Sequence, residues 1–172
     1  DAKNGKEIID LVKKESGIQI EIISGDEEAT LIYENHVAEG LDKEFAYLYI
    51  DVGGGSTELT FYENGKMVYE KSFNIGTIRL LNNLVTMDNW NEMKDEIKKN
   101  IVSKKPIVAI GSGGNINKVF SMSKTKDGKP MSLSHLKKVY KEFNELSVEE
   151  RMTNYNLRED RADVLVHALS IF

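Results

Sequence analysis

The sequence predicts an α/β fold, a mixed sheet of about five strands with helices on both faces. Three observations carry this. First, Phe45 to Ile50, Thr57 to Tyr62 and Met67 to Phe73 are β-rich stretches separated by glycine-containing turns, which makes three consecutive antiparallel strands. Second, the apolar run Ile107-Val108-Ala109-Ile110 passes through Gly111-Ser112-Gly113-Gly114-Asn115 into helical spacing at Ile116, Val119 and Phe120. Third, the remaining segments repeat apolar residues at intervals of three and four, so amphipathic helices are available to cover a sheet.

Taken in order, residues 5 to 16 read as a helix with Ile8, Leu11 and Val12 on one face, stopped by Gly17. Ile18 to Ile23 is β-branched and weakly alternating, a short strand. Ser24 or Asp26 is placed to cap a helix whose apolar face is Ala29, Ile32, Tyr33, His36 and Val37. His36 has no second His or Cys near it and reads as a packing residue. Glu63-Asn64-Gly65-Lys66 carries the Asn-Gly hairpin signal. A helix follows Gly76, with Ile78, Leu81, Leu84 and Val85 expected inward and Arg79 either near a phosphate or on the surface. Asp88 is expected to cap the next, whose core face is Trp90, Met93, Ile97 and Ile101. Ser121 to Pro130 is a turn-rich connector with Lys124, Lys126 and Lys129, either a solvated link or a basic lip to a phosphate chain. Ser132 opens a helix with Leu133, Leu136, Tyr140 and Phe143, and Ser147-Val148-Glu149-Glu150 is a capping box. Ala162, Leu165, Val166, Leu169 and Phe172 mark a last, buried helix.

Chemistry concentrates at the two glycine loops. In Ile50-Asp51-Val52-Gly53-Gly54-Gly55-Ser56-Thr57-Glu58-Leu59 the hairpin tip is mostly backbone, and without Cβ atoms its N–H groups can close on one anion. Asp51 enters the tip and Glu58 leaves it, a carboxylate pair suited to a divalent cation or a water. Gly111 to Asn115 opens a helix, and a helix start receives phosphate. It is neither a Walker A loop nor a dinucleotide fingerprint.

Composition bounds the partners. A chain of 172 residues, 40% hydrophobic, fits one domain with a real core. There is no cysteine, which removes disulfides and thiolate metal sites and fits a reducing compartment. No apolar run approaches membrane-spanning length, and the start carries no signal-peptide pattern. With a net charge of −5, bulk charge does not draw in a nucleic acid or another polyanion, so a phosphate ligand must be met by local groups and a metal.

Five blocks carry a resemblance: Ile22-Ile23-Ser24-Gly25-Asp26-Glu27-Glu28-Ala29, then Ile50 to Leu59, then Gly76-Thr77-Ile78-Arg79-Leu80, then Ala109-Ile110-Gly111-Ser112-Gly113-Gly114, then Arg161-Ala162-Asp163-Val164. In that order they resemble the exopolyphosphatase and guanosine pentaphosphate phosphohydrolase family of the actin-like ATPase superfamily. The resemblance implies a ribonuclease-H-like half and the cytoplasm. It also implies release of terminal phosphate from inorganic polyphosphate, or conversion of pppGpp to ppGpp. Glu28, directly before the alanine, matches the family's water-activating glutamate. Asp51 and Glu58 would hold Mg²⁺, with K⁺ as a further cation. The backbone of Gly53, Gly54, Gly55, Ser56 and Thr57, and of Gly111, Ser112, Gly113, Gly114 and Asn115, would hold phosphates. The family has an earlier domain with a phosphate loop of the Asp-x-Gly-Ser-Asn type. Residues 1–172 carry no such loop and read as one domain, the second of the pair. The implied partners are polyphosphate or guanosine pentaphosphate, the preceding domain of the same chain, and a second copy in a homodimer of the full-length protein. Two other functions stay open on the residues. One is half of an ATP-dependent kinase, which would show acceptor-dependent ATP turnover; the other is a non-catalytic phosphate-binding regulatory module.

Overall fold

The computed structural model describes residues 4–23, 42–126 and 128–172. The chain divides into two compact units, residues 1–39 and 40–172. Glu27, Glu28, His36 and the helix expected from Ala29 to Val37 lie outside the described residues, as does Asp127.

In the first unit, helix α1 (Gly5–Ser16) ends where Gly17 takes a left-handed φ of 74° and returns its N–H to the Lys13 carbonyl at 3.0 Å. Ile18 to Ile23 forms no strand, contrary to its alternating pattern. A strand exists only as part of a ladder, and no neighbouring backbone among the described residues pairs with it. Ile18 and Ile22 stay exposed.

The second unit is built on a four-stranded sheet in the order β3-β2-β1-β4. Strands β1 (Ala46–Val52), β2 (Thr57–Glu63) and β3 (Lys66–Phe73) form the expected antiparallel meander. Asn64 and Gly65, at φ 56° and 73°, make the two left-handed residues that a tight hairpin twisted like its strands requires. Strand β4 (Ile107–Ser112) lies parallel to β1, with Asp51 opposite Ser112. The ends of β1 and β4 therefore leave the sheet side by side.

Helix α2 (Thr77–Leu81) is a single short turn after Gly76, closed by Asn82 and by Asn83 at φ 55°. Its early end changes which residues face inward. Ile78, Leu81 and Leu84 are exposed, whereas Leu80 and Val85 pack against the core. Helix α3 (Met87–Asn100) is capped by Thr86 through a reciprocal box with Asn89, while Asp88 sits in its first turn. Trp90, Met93 and Ile97 pack on one sheet face with Leu48, Leu59, Phe61 and Phe73.

A second cluster gathers helices α4 (Gly114–Met122), α5 (Leu133–Asn144), α6 (Val148–Tyr155), α7 (Glu159–Ala162) and α8 (Leu165–Ile171) around Val119, Phe143, Leu157 and Leu165. Ser132 caps α5, and Ser147 with Glu150 caps α6 as a box. The serine's N–H bond holds the Glu150 carboxyl below its usual pKa. The last expected helix is broken in two at Asp163 and Val164. Arg151 ties the cluster together, donating from Nε to the Phe143 carbonyl at 2.8 Å and from Nη1 to the Ala162 carbonyl at 2.9 Å.

Candidate functional site

The first glycine loop, residues 53–56, closes on itself through the Gly53 N–H to the Ser56 carbonyl at 3.0 Å. Its other carbonyls all point one way, into the start of α2. Gly53 accepts from the Thr77 N–H at 3.0 Å, and Gly54 from the Ile78 and Arg79 N–H groups at 2.9 and 3.3 Å. Gly55 accepts from Arg79 Nε at 2.7 Å. No peptide bond here is cis. In a trans peptide the C=O of one residue and the N–H of the next point in opposite directions. The N–H groups of Gly54, Gly55 and Ser56 are thus turned away from α2, and no acceptor among the described residues takes them. Three successive unclaimed N–H groups at an exposed tip make a concavity of partial positive charge.

The close seat of α2 needs glycine at 76. A Cβ there would lie 2.4 Å from the Gly54 oxygen and 2.5 Å from the Gly55 carbonyl carbon. Thr57 is fully buried and spends its hydroxyl on the Ile75 carbonyl at 2.6 Å, so this side chain anchors the loop instead of facing a ligand.

Of the second glycine stretch, residues 111–115, Gly111 and Ser112 end β4 opposite Ile50 and Asp51, Gly113 alone is the link, and Gly114 and Asn115 open α4. Gly113 stands at φ 99°, ψ 158°, a conformation nearly confined to glycine, and its ideal Cβ would be 3.3 Å from Asp51 Oδ1 and from the Val52 carbonyl. Gly113 therefore sits against the end of β1, the strand that leads into the first loop. No side chain caps α4, so its first N–H groups retain their donor capacity. Arg161 lies over this helix start. Its guanidinium donates to Asn115 Oδ1 at 2.7 Å and sits where a Gly114 side chain would go, 2.9 Å from the ideal Cβ. Sequence reasoning gave Arg161 no role in the site; its only signal was membership of the last resembling block.

Asp51 and Glu58 are direct cross-strand partners in the antiparallel β1–β2 pair and share one face of the sheet. Like charges placed opposite each other destabilise a hairpin unless something offsets them. Glu58 Oε1 accepts from the Ser72 hydroxyl at 2.9 Å. A pair of carboxylates is a donor set that fits Mg²⁺, which takes one or two protein carboxylates and fills its other positions with water and other oxygens. Among the described residues no cage of three or more His, Asp or Glu is gathered. A cavity of about 350 Å³ is lined by Gly111 of the second glycine stretch together with Ile50, Ile116, Asn117, Ser132 and Phe172.

A model of the Ppx/GppA phosphatase family matches residues 1–172. The chain belongs to that family. Among Ppx/GppA relatives, a guanosine-5'-triphosphate,3'-diphosphate pyrophosphatase of Aeromonas hydrophila subsp. hydrophila is 39% identical over 82 residues, 48% of this chain and 16% of that protein. A solved exopolyphosphatase of Cytophaga hutchinsonii is 25% identical with a TM-score of 0.75, covering 99% of this chain and 62% of that one. The crystal structure of the Aquifex aeolicus family member is 26% identical with a TM-score of 0.72, covering 99% and 61%. This chain thus spans less than two thirds of the solved relatives it matches. Its mixed sheet and helices are the actin-like half that the sequence led us to expect, with four strands among the described residues instead of about five. Among the described residues no helix is long and apolar enough to cross a membrane.

Proposed function

We propose that this chain supplies one half of the active site of a phosphoanhydride hydrolase that acts on the terminal phosphate of inorganic polyphosphate or of pppGpp. The observation that carries the proposal is the outward turn of the Gly54, Gly55 and Ser56 N–H groups beside the uncapped start of α4. Fixed backbone donors stabilise charge on phosphoryl oxygens without having to reorganise during the reaction. The amides at residues 54–56 hold the terminal phosphate, and those at 114–116 hold the next along the chain. Glu28 accepts the proton of the attacking water as its oxygen bonds to phosphorus and the bridging P–O bond breaks, releasing orthophosphate. Asp51 and Glu58 hold Mg²⁺, which when bound neutralises charge on the phosphate oxygens; K⁺ is a further cation of the site. The opposite side of the phosphate is met by a preceding domain of the same polypeptide, and the full-length protein works in the cytoplasm, as a homodimer.

A half-site alone leaves the phosphate oxygens in high dielectric, where each donor is worth less, and it does not align water. Phosphate release from long-chain polyphosphate and from pppGpp, with Mg²⁺ and K⁺, tests this. The 172-residue chain should release little and the full-length protein should turn over. Glu28→Gln in the full-length protein should lower release by roughly 10²- to 10⁴-fold with binding little changed. Turnover by the short chain equal to that of the full-length protein would sink the half-site proposal.

A further inference from the structure

We infer that Arg79 is a positioning residue of the phosphate loop, acting through its Nε–H bond to the Gly55 carbonyl and not through its charge; the inference rests on the phosphate-loop function proposed above. The loop carbonyls are not held equally. Those of Gly53 and Gly54 are fixed by the first backbone N–H groups of α2, which are rigid with the helix and can leave only if α2 moves as a whole. The Gly55 carbonyl has one donor among the described residues, the Arg79 side chain at 2.7 Å. Gly55 is also the exposed tip, with nothing within 4 Å of its ideal Cβ, so packing does not hold this peptide plane. A glycine peptide free on both sides rotates readily. Rotation would turn the Ser56 N–H away from the other two and open the three-amide concavity. The Arg79 bond therefore decides whether the concavity has three donors or two.

The chemistry separates this role from direct phosphate binding. Glutamine places an N–H donor at the position of arginine's Nε but carries no charge, whereas methionine keeps the stem and has no donor. In the full-length protein, Arg79→Met should lower kcat for phosphate release by roughly 10²- to 10³-fold, as loss of one preorganised donor does, with KM changed far less. Arg79→Gln should restore kcat to within about tenfold of wild type, since only the neutral bond replaces the charged one. A crystal structure of Arg79→Met should show the Gly55–Ser56 peptide rotated, and that of Arg79→Gln should show it in place. Glutamine as poor as methionine would mean that charge on the phosphate is what matters, and an unrotated peptide in Arg79→Met would equally overturn the inference. If wild type releases phosphate from neither polyphosphate nor pppGpp, the hydrolase reading fails, while the two crystal structures still decide what holds Gly55.

Discussion

The two glycine loops reach a similar end by different routes. The loop at residues 111–115 is a strand running into a nine-residue helix, and its donors are the N–H groups that any helix start leaves over. Its geometry is local, and the macrodipole adds to it. The loop at residues 53–56 is a hairpin tip with no such inheritance. Its donors face outward only because α2, more than twenty residues on, takes the opposing carbonyls. A loop of the first kind tolerates change in its surroundings. One of the second kind depends on a tertiary contact made backbone to backbone at Gly76.

The sharpest way to break that contrast is Gly76→Ala. A methyl group 2.4 Å from the Gly54 oxygen cannot be accommodated by rotating a side chain, since both parties are backbone. Helix α2 and the tip must separate, with a stability loss of about 1–3 kcal/mol, the usual range for overpacking. A displacement near 1 Å at a site that works by position costs roughly 10²-fold in rate, so phosphate release by the full-length protein should fall at least that far. Release within twofold of wild type would show that α2 does not set the loop.

The same contrast explains what could be read in advance. The hairpin at Asn64-Gly65, the caps at Ser132 and Ser147 and the strand–glycine–helix run at β4 are local signals, and each formed as its residues indicated. What failed was non-local. Gly76 to Arg79 read as an ordinary helix start with Ile78 and Leu81 inward, yet this turn exists to meet a loop across space and leaves both residues exposed. The strand expected at Ile18 to Ile23 has the composition of a strand but no partner among the described residues, and pattern alone cannot supply one. Arg161 lies 46 residues from Asn115 in sequence, and no spacing rule joins them.

Smaller effects should follow at the second loop, and they should differ between neighbours. Gly113→Ala puts a side chain into a backbone conformation that only glycine adopts easily and 3.3 Å from Asp51 Oδ1, for a cost of about 1–3 kcal/mol in urea unfolding. Gly114→Ala meets only the far end of the Arg161 side chain, which can swing aside. Its stability should stay within about 0.5 kcal/mol of wild type. Equal losses at the two positions would mean that the second loop is packed as tightly as the first.

The supports beneath the two loops should also respond to acid in different windows. Under the second loop, burial holds the His167 imidazole below its usual pKa, with the nearby Arg151 charge acting in the same direction and Asp163 against both. The unfolded chain then binds a proton more readily than the folded one, so stability falls as pH drops below the ordinary histidine value of about 6.5 and levels off beneath the folded value. Beside the first loop's sheet, the Glu96 carboxyl is lowered chiefly by the Tyr69 hydroxyl, which donates to it at 3.0 Å, and secondarily by Lys71. That stabilisation is complete above the ordinary carboxylate pKa and is lost only as pH falls below it toward the folded value. Urea midpoints measured from pH 8 to 3 should therefore decline in two stages. His167→Gln should flatten the first and leave the second, because glutamine takes up no proton. Glu96→Gln should leave the first and shrink the second without abolishing it, since Glu150, also held below the usual carboxylate value, contributes to the same stage. A first stage that persists in His167→Gln would mean that another group governs the helical cluster under the second loop.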